Sequence, residues 1–323
     1  MKPVLEIKNL SVEFQTREGT INAVNGLSYN IGAGMTLGIA GESGSGKTVS
    51  SLAVMGLLHE STARIGKKSS IKISCEETRD MSKSRMREIR GNTVSMIFQD
   101  PMNSLNPYRR IDQQMIEGYI YHKKAGKKNA LKKAFEMLEY VHIADVESVL
   151  RSYPHELSGG MRQRVMIATA LTCNPSLIFA DEPTSSLDVT VQSQIIKLFN
   201  KIQGELNTAI VFITHDLELI SIISDYILVM YAGQMMEYGS PEDIFEKPLH
   251  PYTMALKKCI PKLHISGENN GLLHSIKGSP PDPMNLSAGC PFEPRCEFSK
   301  EACRLGDIPA KQLGNEHIMR CIL

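Results

Sequence analysis

One run of eight residues constrains the fold of this chain more than any other feature. It matches the pattern G-x-x-x-x-G-K-[ST] completely and reads Gly41-Glu42-Ser43-Gly44-Ser45-Gly46-Lys47-Thr48. Glycines let such a loop curl so that successive backbone N–H groups point at phosphate oxygens, and a following helix adds the positive end of its dipole. The loop must therefore lie between a strand and a helix, which Thr36–Ala40 and Thr48–Leu58 are expected to form.

The same loop predicts a phosphate site for a nucleoside triphosphate. The Lys47 ammonium is expected to reach the β- and γ-phosphates, and the Thr48 hydroxyl to ligate Mg²⁺. The other loop residues expected at the phosphates are Gly41, Ser43, Gly44, Ser45 and Gly46. The alternative is a flexible glycine linker. A linker would not need a strand directly before it and a helix directly after it, as this loop is expected to have. A Rossmann dinucleotide site is excluded, because the pattern G-x-G-x-x-G lacks its third glycine here.

The rest of the chain is expected to be an α/β structure. Buried strands at Leu177–Ala180 and Ala209–Ile213 alternate with helical stretches, as in a mainly parallel sheet covered on both faces. Alternation in Leu5–Ile31 indicates antiparallel strands joined by a hairpin, and a helical pattern runs from about residue 102 to 174. Periodicity then fades, so we expect a main domain at residues 1–260 and a C-terminal extension at 261–323.

Charge and hydropathy narrow the functional classes. The 323 residues include 36 Lys and Arg against 35 Asp and Glu, so the formal net charge of +1 favours no nucleic-acid partner. No apolar stretch approaches the roughly 18 residues that a membrane helix needs. We therefore expect a soluble, cytosolic chain that meets a membrane only through a partner.

Two acids follow the first of these buried strands. A phosphate loop needs a carboxylate at a strand end to orient its metal, and Asp181 and Glu182 come directly after Leu177–Ala180. Asp181 is expected to hold Mg²⁺, directly or through water, and Glu182 to polarise the attacking water. Taken alone, two acids in this place also suit a solvated loop or a helix N-cap.

Four further motifs resemble those of a known family. They are Leu157-Ser158-Gly159-Gly160-Met161-Arg162-Gln163-Arg164, Ile97-Phe98-Gln99-Asp100-Pro101, Ser185-Ser186-Leu187-Asp188, and His215 after the strand at Ala209–Ile213. Together with the phosphate loop they resemble the ATP-binding cassette (ABC) family along nearly the whole chain. The family implies a P-loop (RecA-like) ATPase core with an antiparallel β subdomain and a helical subdomain, to which this chain adds a small cysteine-rich C-terminal extension.

The resemblance implies that each ATP site is shared between two subunits. Ser158 and Gly160, at the start of a helix, would close on the γ-phosphate bound by the opposite subunit, and Asp188 would belong to the D-loop. ATP would then hold a dimer together. A serine N-cap with glycine hinges is the plain structural interpretation of the same residues, and the two are compatible.

The resemblance also assigns the catalytic residues. Gln99 would sense Mg²⁺ and the transmembrane partner, and His215 would contact the γ-phosphate. Lys47 and Mg²⁺ would neutralise phosphate charge while Glu182 and His215 organise water. Phe14, on an early strand, is expected to stack on adenine, although a strand aromatic more often belongs to the core.

A more specific resemblance concerns the branch of the family. His250-Pro251-Tyr252-Thr253, after Phe245-Glu246-Lys247-Pro248, resembles the dipeptide/oligopeptide/nickel-type importer ATPases, as do Arg90-Gly91 and the segment Val94–Pro101. The partners in that branch are a second, different ATPase subunit, two transmembrane permease subunits and an extracytoplasmic substrate-binding protein. The ATPases lie at the cytoplasmic face of the membrane. The alternatives are an importer for nickel or other metal chelates, an exporter, and a soluble ABC ATPase of DNA repair or translation. The chain lacks the heptads and basic bias expected of the last class.

Four of the seven cysteines fall in the last 34 residues, namely Cys290, Cys296, Cys303 and Cys321. Their spacing, C-x5-C-x6-C-x17-C, lacks the C-x2-C pairs typical of structural zinc. Four thiolates suit either Zn²⁺ or an iron–sulfur cluster, and spacing alone does not decide. The motif resembles that of peptide-importer ATPases, which implies a [4Fe–4S] cluster with a structural or redox-sensing role. Free thiols in a loose tail are the alternative.

Overall fold

The computed structural model describes residues 2–185, 187–260, 275–314 and 316–323. The chain divides into two compact units. The first unit comprises Met1–Glu6, Asn30–Thr36 and Lys72–Ile213, and the second comprises Ile7–Tyr29, Leu37–Ile71 and Thr214–Leu323.

The strands are β1 (Leu5–Gln15), β2 (Thr20–Ile31), β3 (Thr36–Ala40), β4 (Ala63–Ile65), β5 (Ser70–Ile73), β6 (Glu76–Glu77), β7 (Val94–Ile97), β8 (Leu177–Asp181), β9 (Ala209–Thr214), β10 (Tyr226–Tyr231), β11 (Gln234–Gly239), β12 (Lys311–Gln312) and β13 (Ile318–Met319). The α-helices are α1 (Lys47–Val54), α2 (Lys83–Ile89), α3 (Pro101–Ser104), α4 (Ile111–Lys123), α5 (Lys127–Tyr140), α6 (Val146–Arg151), α7 (Gly159–Leu171), α8 (Val189–Leu206), α9 (Leu217–Ile223) and α10 (Pro251–Lys258). Single 3₁₀ turns cover Pro154–Glu156, Glu293–Arg295 and Glu301–Arg304, and a π-helical turn covers Glu242–Glu246.

Parallel strands form the core of the first unit. β7 pairs with β8 and β8 with β9, with Val94 opposite Leu177 and Leu177 opposite Ala209. All residues of the three strands are buried, as expected for parallel strands covered on both faces. The helical pattern predicted over residues 102–174 corresponds to α3 through α7.

The second unit combines parallel and antiparallel pairs. β3 runs parallel to β10, β11 pairs antiparallel with β10 and β13, and β12 pairs antiparallel with β13. The predicted hairpin is present, because β1 and β2 are neighbours and the backbone N–H of Thr16 donates to Gly19 across the turn at 2.9 Å. β4 adds an antiparallel partner to β1.

The helix after the phosphate loop is shorter than predicted. It ends at Val54 rather than Leu58, and Gly56 follows with a φ of +59°, in the left-handed region that glycine adopts without strain. The N–H of Leu57 donates to the carbonyl of Leu52 at 2.9 Å, and that of Gly56 to Ala53 at 3.0 Å. These bonds satisfy the last carbonyls and end the helix.

The described part of the C-terminal segment, from residue 275, is packed rather than loose. β13 extends the pairing of β11, and Phe292 is buried in a core cluster with Tyr231 and Tyr252. The alternative of a loose tail is therefore wrong for this part. The predicted boundary after residue 260 falls at residues 261–274, which lie outside the described residues. Across the described ranges, no helix combines the length and the apolar character needed to cross a membrane.

Candidate functional site

The phosphate loop lies between β3 and α1, as the motif requires, and its glycines are needed for space. A Cβ at Gly41 would stand 2.2 Å from the carbonyl oxygen of Met230, and one at Gly46 would stand 2.4 Å from that of Ala23. Gly46 has a φ of +95° directly before α1. Because the neighbouring atoms are backbone, no side-chain rotation relieves these contacts, so the sequence pattern is a steric requirement.

Lys47 is folded back onto the loop. Its side chain is buried, and Nζ donates to the carbonyl oxygens of Gly41 at 2.7 Å and Glu42 at 2.8 Å, with Ser45 Oγ at 3.4 Å. Ser43, Gly44 and Thr48 are exposed at the rim, while Gly41, Ser45 and Gly46 are buried. An ammonium held by carbonyl dipoles beside a helix N-terminus is suited to bind a polyphosphate. The binding of Mg²⁺ by the Thr48 hydroxyl stays a prediction.

Two other predicted residues belong to the same unit. His215 follows β9, is exposed, and precedes Asp216, whose carboxylate caps α9 by accepting from the N–H of Glu218 at 3.0 Å. Phe14 is half-buried on β1, opposite Ala63 of β4. The contact of His215 with the γ-phosphate and the contact of Phe14 with adenine stay predictions.

In the first unit, the structure joins two residues that the sequence predicted separately. Asp181 is the buried last residue of β8, and Glu182 follows it. Gln99 Nε2 donates to Glu182 Oε2 at 3.1 Å. Glu182 has a φ of +44°, a strained conformation for a residue with a Cβ, and its N–H donates to the carbonyl of Ile213 at 2.9 Å. The amide of Gln99 thus fixes one oxygen of the Glu182 carboxylate.

The signature motif begins α7, as predicted. Ser158 is the N-cap, and its Oγ accepts from the N–H of Met161 at 3.3 Å. Ser158 and Gly159 are exposed, and a Cβ at Gly160 would stand 3.1 Å from Cγ1 of Val191 on α8. The start of this helix therefore presents backbone N–H groups to the outside of the chain.

Asp188 is the N-cap of α8, where its carboxylate accepts from the N–H of Val191 at 2.9 Å. The next residue, Val189, is 82% exposed. Ser186 of the same motif lies outside the described residues.

The four C-terminal cysteines line a single cavity. Its wall consists of Cys290, Cys296, Cys303 and Cys321 with His250, Pro251, Phe292, Glu293, Phe298, Ile308 and Leu323. The N–H of Cys290 donates to the carbonyl of Cys303 at 2.8 Å, which joins the two loops. Burial raises the pKa of the Cys290 thiol to about 11 and also raises that of Cys296, so a bound cation would have to displace their protons. Among the described residues, no three His, Cys, Asp or Glu side chains are grouped so that they could hold a metal ion.

The segment His250–Thr253 does more than form a turn. His250 is the N-cap of α10, and burial lowers the pKa of its imidazole to about 4, so the ring is neutral. The Tyr252 hydroxyl accepts from the N–H of Glu42 at 2.9 Å, inside the phosphate loop. Neither this bond nor the ion pair of Glu42 with Arg295 leaves a local pattern in the sequence, because the paired residues are far apart in the chain.

Comparison with known proteins identifies two regions. The family model of the ABC transporter matches residues 24–185. The model of the oligopeptide/dipeptide transporter C-terminal region matches residues 236–303, which include Cys290, Cys296 and Cys303.

Individual relatives match over almost the whole chain. The oligopeptide transport ATP-binding protein OppD of Haemophilus influenzae is 47% identical over 305 residues, 94% of this chain and 93% of the relative. The oligopeptide transport ATP-binding protein AppD of Bacillus subtilis is 46% identical over 323 residues, 100% and 97% of the two chains. A solved dimeric ATP-binding cassette in a post-hydrolysis state, bound to ADP and Pi, is 26% identical in sequence and has a TM-score of 0.66. The match covers 73% of this chain and 98% of the solved chain. The chain therefore belongs to the ABC transporter family, among the ATP-binding proteins related to those of oligopeptide and dipeptide transport.

Proposed function

We propose that this chain is the ATP-hydrolysing subunit that energises the import of dipeptides or oligopeptides through an ABC transporter. The observation that carries the proposal is the 46% identity to an oligopeptide transport ATP-binding protein across all 323 residues. The complete phosphate loop and the match of residues 236–303 to the oligopeptide/dipeptide transporter C-terminal region support it.

In this proposal each predicted site residue has one role in ATP hydrolysis. Lys47 binds the β- and γ-phosphates, with Gly41, Ser43, Gly44, Ser45 and Gly46 lining them. Thr48, Asp181 and Gln99 hold Mg²⁺, which when bound neutralises phosphate charge. Glu182 accepts a proton from the attacking water, and His215 steadies the γ-phosphate. Phe14 stacks on adenine.

A second ATPase subunit completes each site. Ser158, Gly160 and Asp188 lie at exposed or half-exposed helix starts, where they are available to nucleotide bound by another chain. Two solved cassettes of similar fold are described as dimeric. We place the resulting heterodimer beneath two transmembrane permease subunits at the cytoplasmic face of the membrane, supplied by an extracytoplasmic binding protein.

The test is purification of the tagged chain from native membranes followed by reconstitution in vesicles. We expect two multi-span membrane proteins and a second ATPase to co-purify, and ATP hydrolysis to rise when a peptide-loaded binding protein is added outside. Stable association with ribosomes or DNA, or ATP hydrolysis that no peptide stimulates, would contradict the proposal.

For the four cysteines we propose a [4Fe–4S] cluster. They line one cavity with apolar neighbours, and four thiolates are the donor set of such a cluster, although no three of the described side chains are grouped so that they could hold a single metal ion. When bound, the cluster would supply a redox-active, thiolate-anchored cross-link between the loops that carry Cys290, Cys296, Cys303 and Cys321. Anaerobic purification should give brown protein with iron and acid-labile sulfide. Stoichiometric zinc without iron would contradict the cluster.

A further inference from the structure

Glu42, the second residue of the phosphate loop, is held at three points. Its N–H donates to the Tyr252 hydroxyl at 2.9 Å, and its carbonyl oxygen accepts from Lys47 Nζ at 2.8 Å. Its carboxylate accepts from both terminal nitrogens of Arg295, at 2.7 and 3.1 Å. The x positions of the phosphate-loop pattern have no required side chain, so this anchoring is a feature of this chain's own residues.

Arg295 is itself fully engaged. Its side chain is 5% exposed, and it also donates to the Tyr231 hydroxyl at 3.0 Å and to the carbonyls of Lys277 at 3.0 Å and Ile276 at 3.3 Å. A two-pronged guanidinium–carboxylate contact fixes orientation as well as distance, and a buried cation that loses its partner is strongly destabilised. The position of Glu42 is therefore tied to that of Arg295.

The segment that supplies Arg295 also supplies two of the cavity cysteines. Arg295 ends the 3₁₀ turn directly before Cys296, and the N–H of Cys296 donates to Glu293 at 3.1 Å. Phe292, directly before this turn, packs on Tyr231 and Tyr252, and its ring centroid lies 5.3 and 5.2 Å from theirs. A change in the order of this segment would therefore move the cation that holds the phosphate loop.

We propose that Arg295 is a positioning residue that, through Glu42, sets the conformation of the phosphate loop and makes nucleotide binding depend on the order of the segment that carries Cys290 and Cys296. This inference rests on the proposed ATP binding by the loop. Glu42 and Gly41 share the Lys47 ammonium through their carbonyls, so displacement of Glu42 also changes the position of the lysine. A preorganised loop binds its ligand with less loss of conformational freedom.

The first experiment measures ATP binding and hydrolysis in the complete transporter. Arg295→Met should raise the KM and the Kd for ATP on the order of tenfold, because it removes a charged hydrogen bond to the phosphate loop. The kcat should change less than about twofold. Arg295→Lys keeps the charge and folds more readily, and should restore part of the affinity. Arg304→Gln is the matched control, because it removes a cation of the same segment that pairs with Glu293 and not with the phosphate loop.

The second experiment tests whether Arg295 acts on the phosphate loop through Glu42. If Arg295 acts through Glu42, the double variant Arg295→Met with Glu42→Gln should have the KM of the worse single variant, not the product of the two effects. As a single substitution, Cys296→Ser should raise the KM for ATP. Combined with Arg295→Met, it should raise that KM no further. Hydrogen exchange at residues 41–48 should accelerate in both Arg295→Met and Cys296→Ser, and this measurement needs no hydrolysis.

The outcomes separate this inference from the proposed function. Unchanged ATP affinity and unchanged exchange at residues 41–48 in Arg295→Met would overturn the role of Arg295, as would multiplicative effects in the double variant. A wild-type transporter that does not hydrolyse ATP would overturn the proposed function instead, and the exchange measurement would still decide for or against Arg295.

Discussion

At the scale of single residues, Glu182 is the side chain with the most specific expectation. Glu182→Gln removes the proton acceptor while keeping the size of the side chain, so it should bind ATP but lower turnover by about a hundredfold or more. The trapped nucleotide should also hold two subunits together. Phosphate release and size-exclusion chromatography with Mg-ATP measure the two effects.

Glu139→Gln is the control for this variant, because Glu139 is an exposed acid on α5. It should hydrolyse ATP at the wild-type rate. Normal steady-state hydrolysis by Glu182→Gln would show that another group accepts the proton.

Two glycines give opposite predictions for stability. Gly41→Ala brings a Cβ to 2.2 Å from a backbone oxygen at a φ of +152°, and should lower the free energy of unfolding by about 3 kcal/mol. Gly204→Ala, near the end of α8 with open space around the added carbon, should raise it by about 0.5–1 kcal/mol. Denaturant unfolding of both variants checks the signs. Equal effects would mean that the close approach at Gly41 is relaxed by backbone movement.

At the scale of elements, two helix starts look alike but should differ in function. Ser158 caps α7 by accepting from Met161 at 3.3 Å, and Asp145 caps α6 by accepting from Ser148 at 3.1 Å. Replacing either residue by Ala should lower the free energy of unfolding by about 1 kcal/mol. Only Ser158→Ala should also lower ATP hydrolysis, by about tenfold, because only the start of α7 is proposed to bind the partner's nucleotide.

Asp145→Ala is the matched control for the loss of a cap. Unfolding curves and hydrolysis rates of the assembled transporter are measured on the same preparations. If both variants lose activity in proportion to stability, Ser158 acts only as a cap, and the shared-site assignment of α7 would be lost.

At the scale of the whole molecule, local motifs were predictable and distant contacts were not. The phosphate loop could be predicted because its residues are contiguous in the sequence. The strands β8 and β9 could be predicted because each is an uninterrupted apolar run. Gln99 and Glu182, 83 residues apart, were each assigned by resemblance, but their hydrogen bond was not foreseen. Arg295 and Glu42 are 253 residues apart, and an ion pair between such positions has no periodicity to detect.

The same limit explains why the C-terminal segment was interpreted as an appended extension. Loss of periodicity after residue 260 indicated a separate piece, yet Phe292 is 2% exposed within the core cluster of the second unit. Its neighbours Tyr231 and Tyr252 belong to β10 and α10, far from it in sequence. Burial by distant partners, not local pattern, decides whether a segment is part of a core.

Phe292→Ala tests whether this segment is integral to the second unit. Loss of a buried aromatic ring packed between two tyrosines should lower the free energy of unfolding by about 3–5 kcal/mol. Leu305→Ala, which alters a side chain that is 72% exposed in the same segment, should change it by less than about 0.5 kcal/mol. Denaturant unfolding of the isolated chain compares the two. A dispensable appendage would give equally small effects. The anchoring of the phosphate loop through Arg295 would then lose its structural basis as well, because Phe292 directly precedes the turn that ends at Arg295.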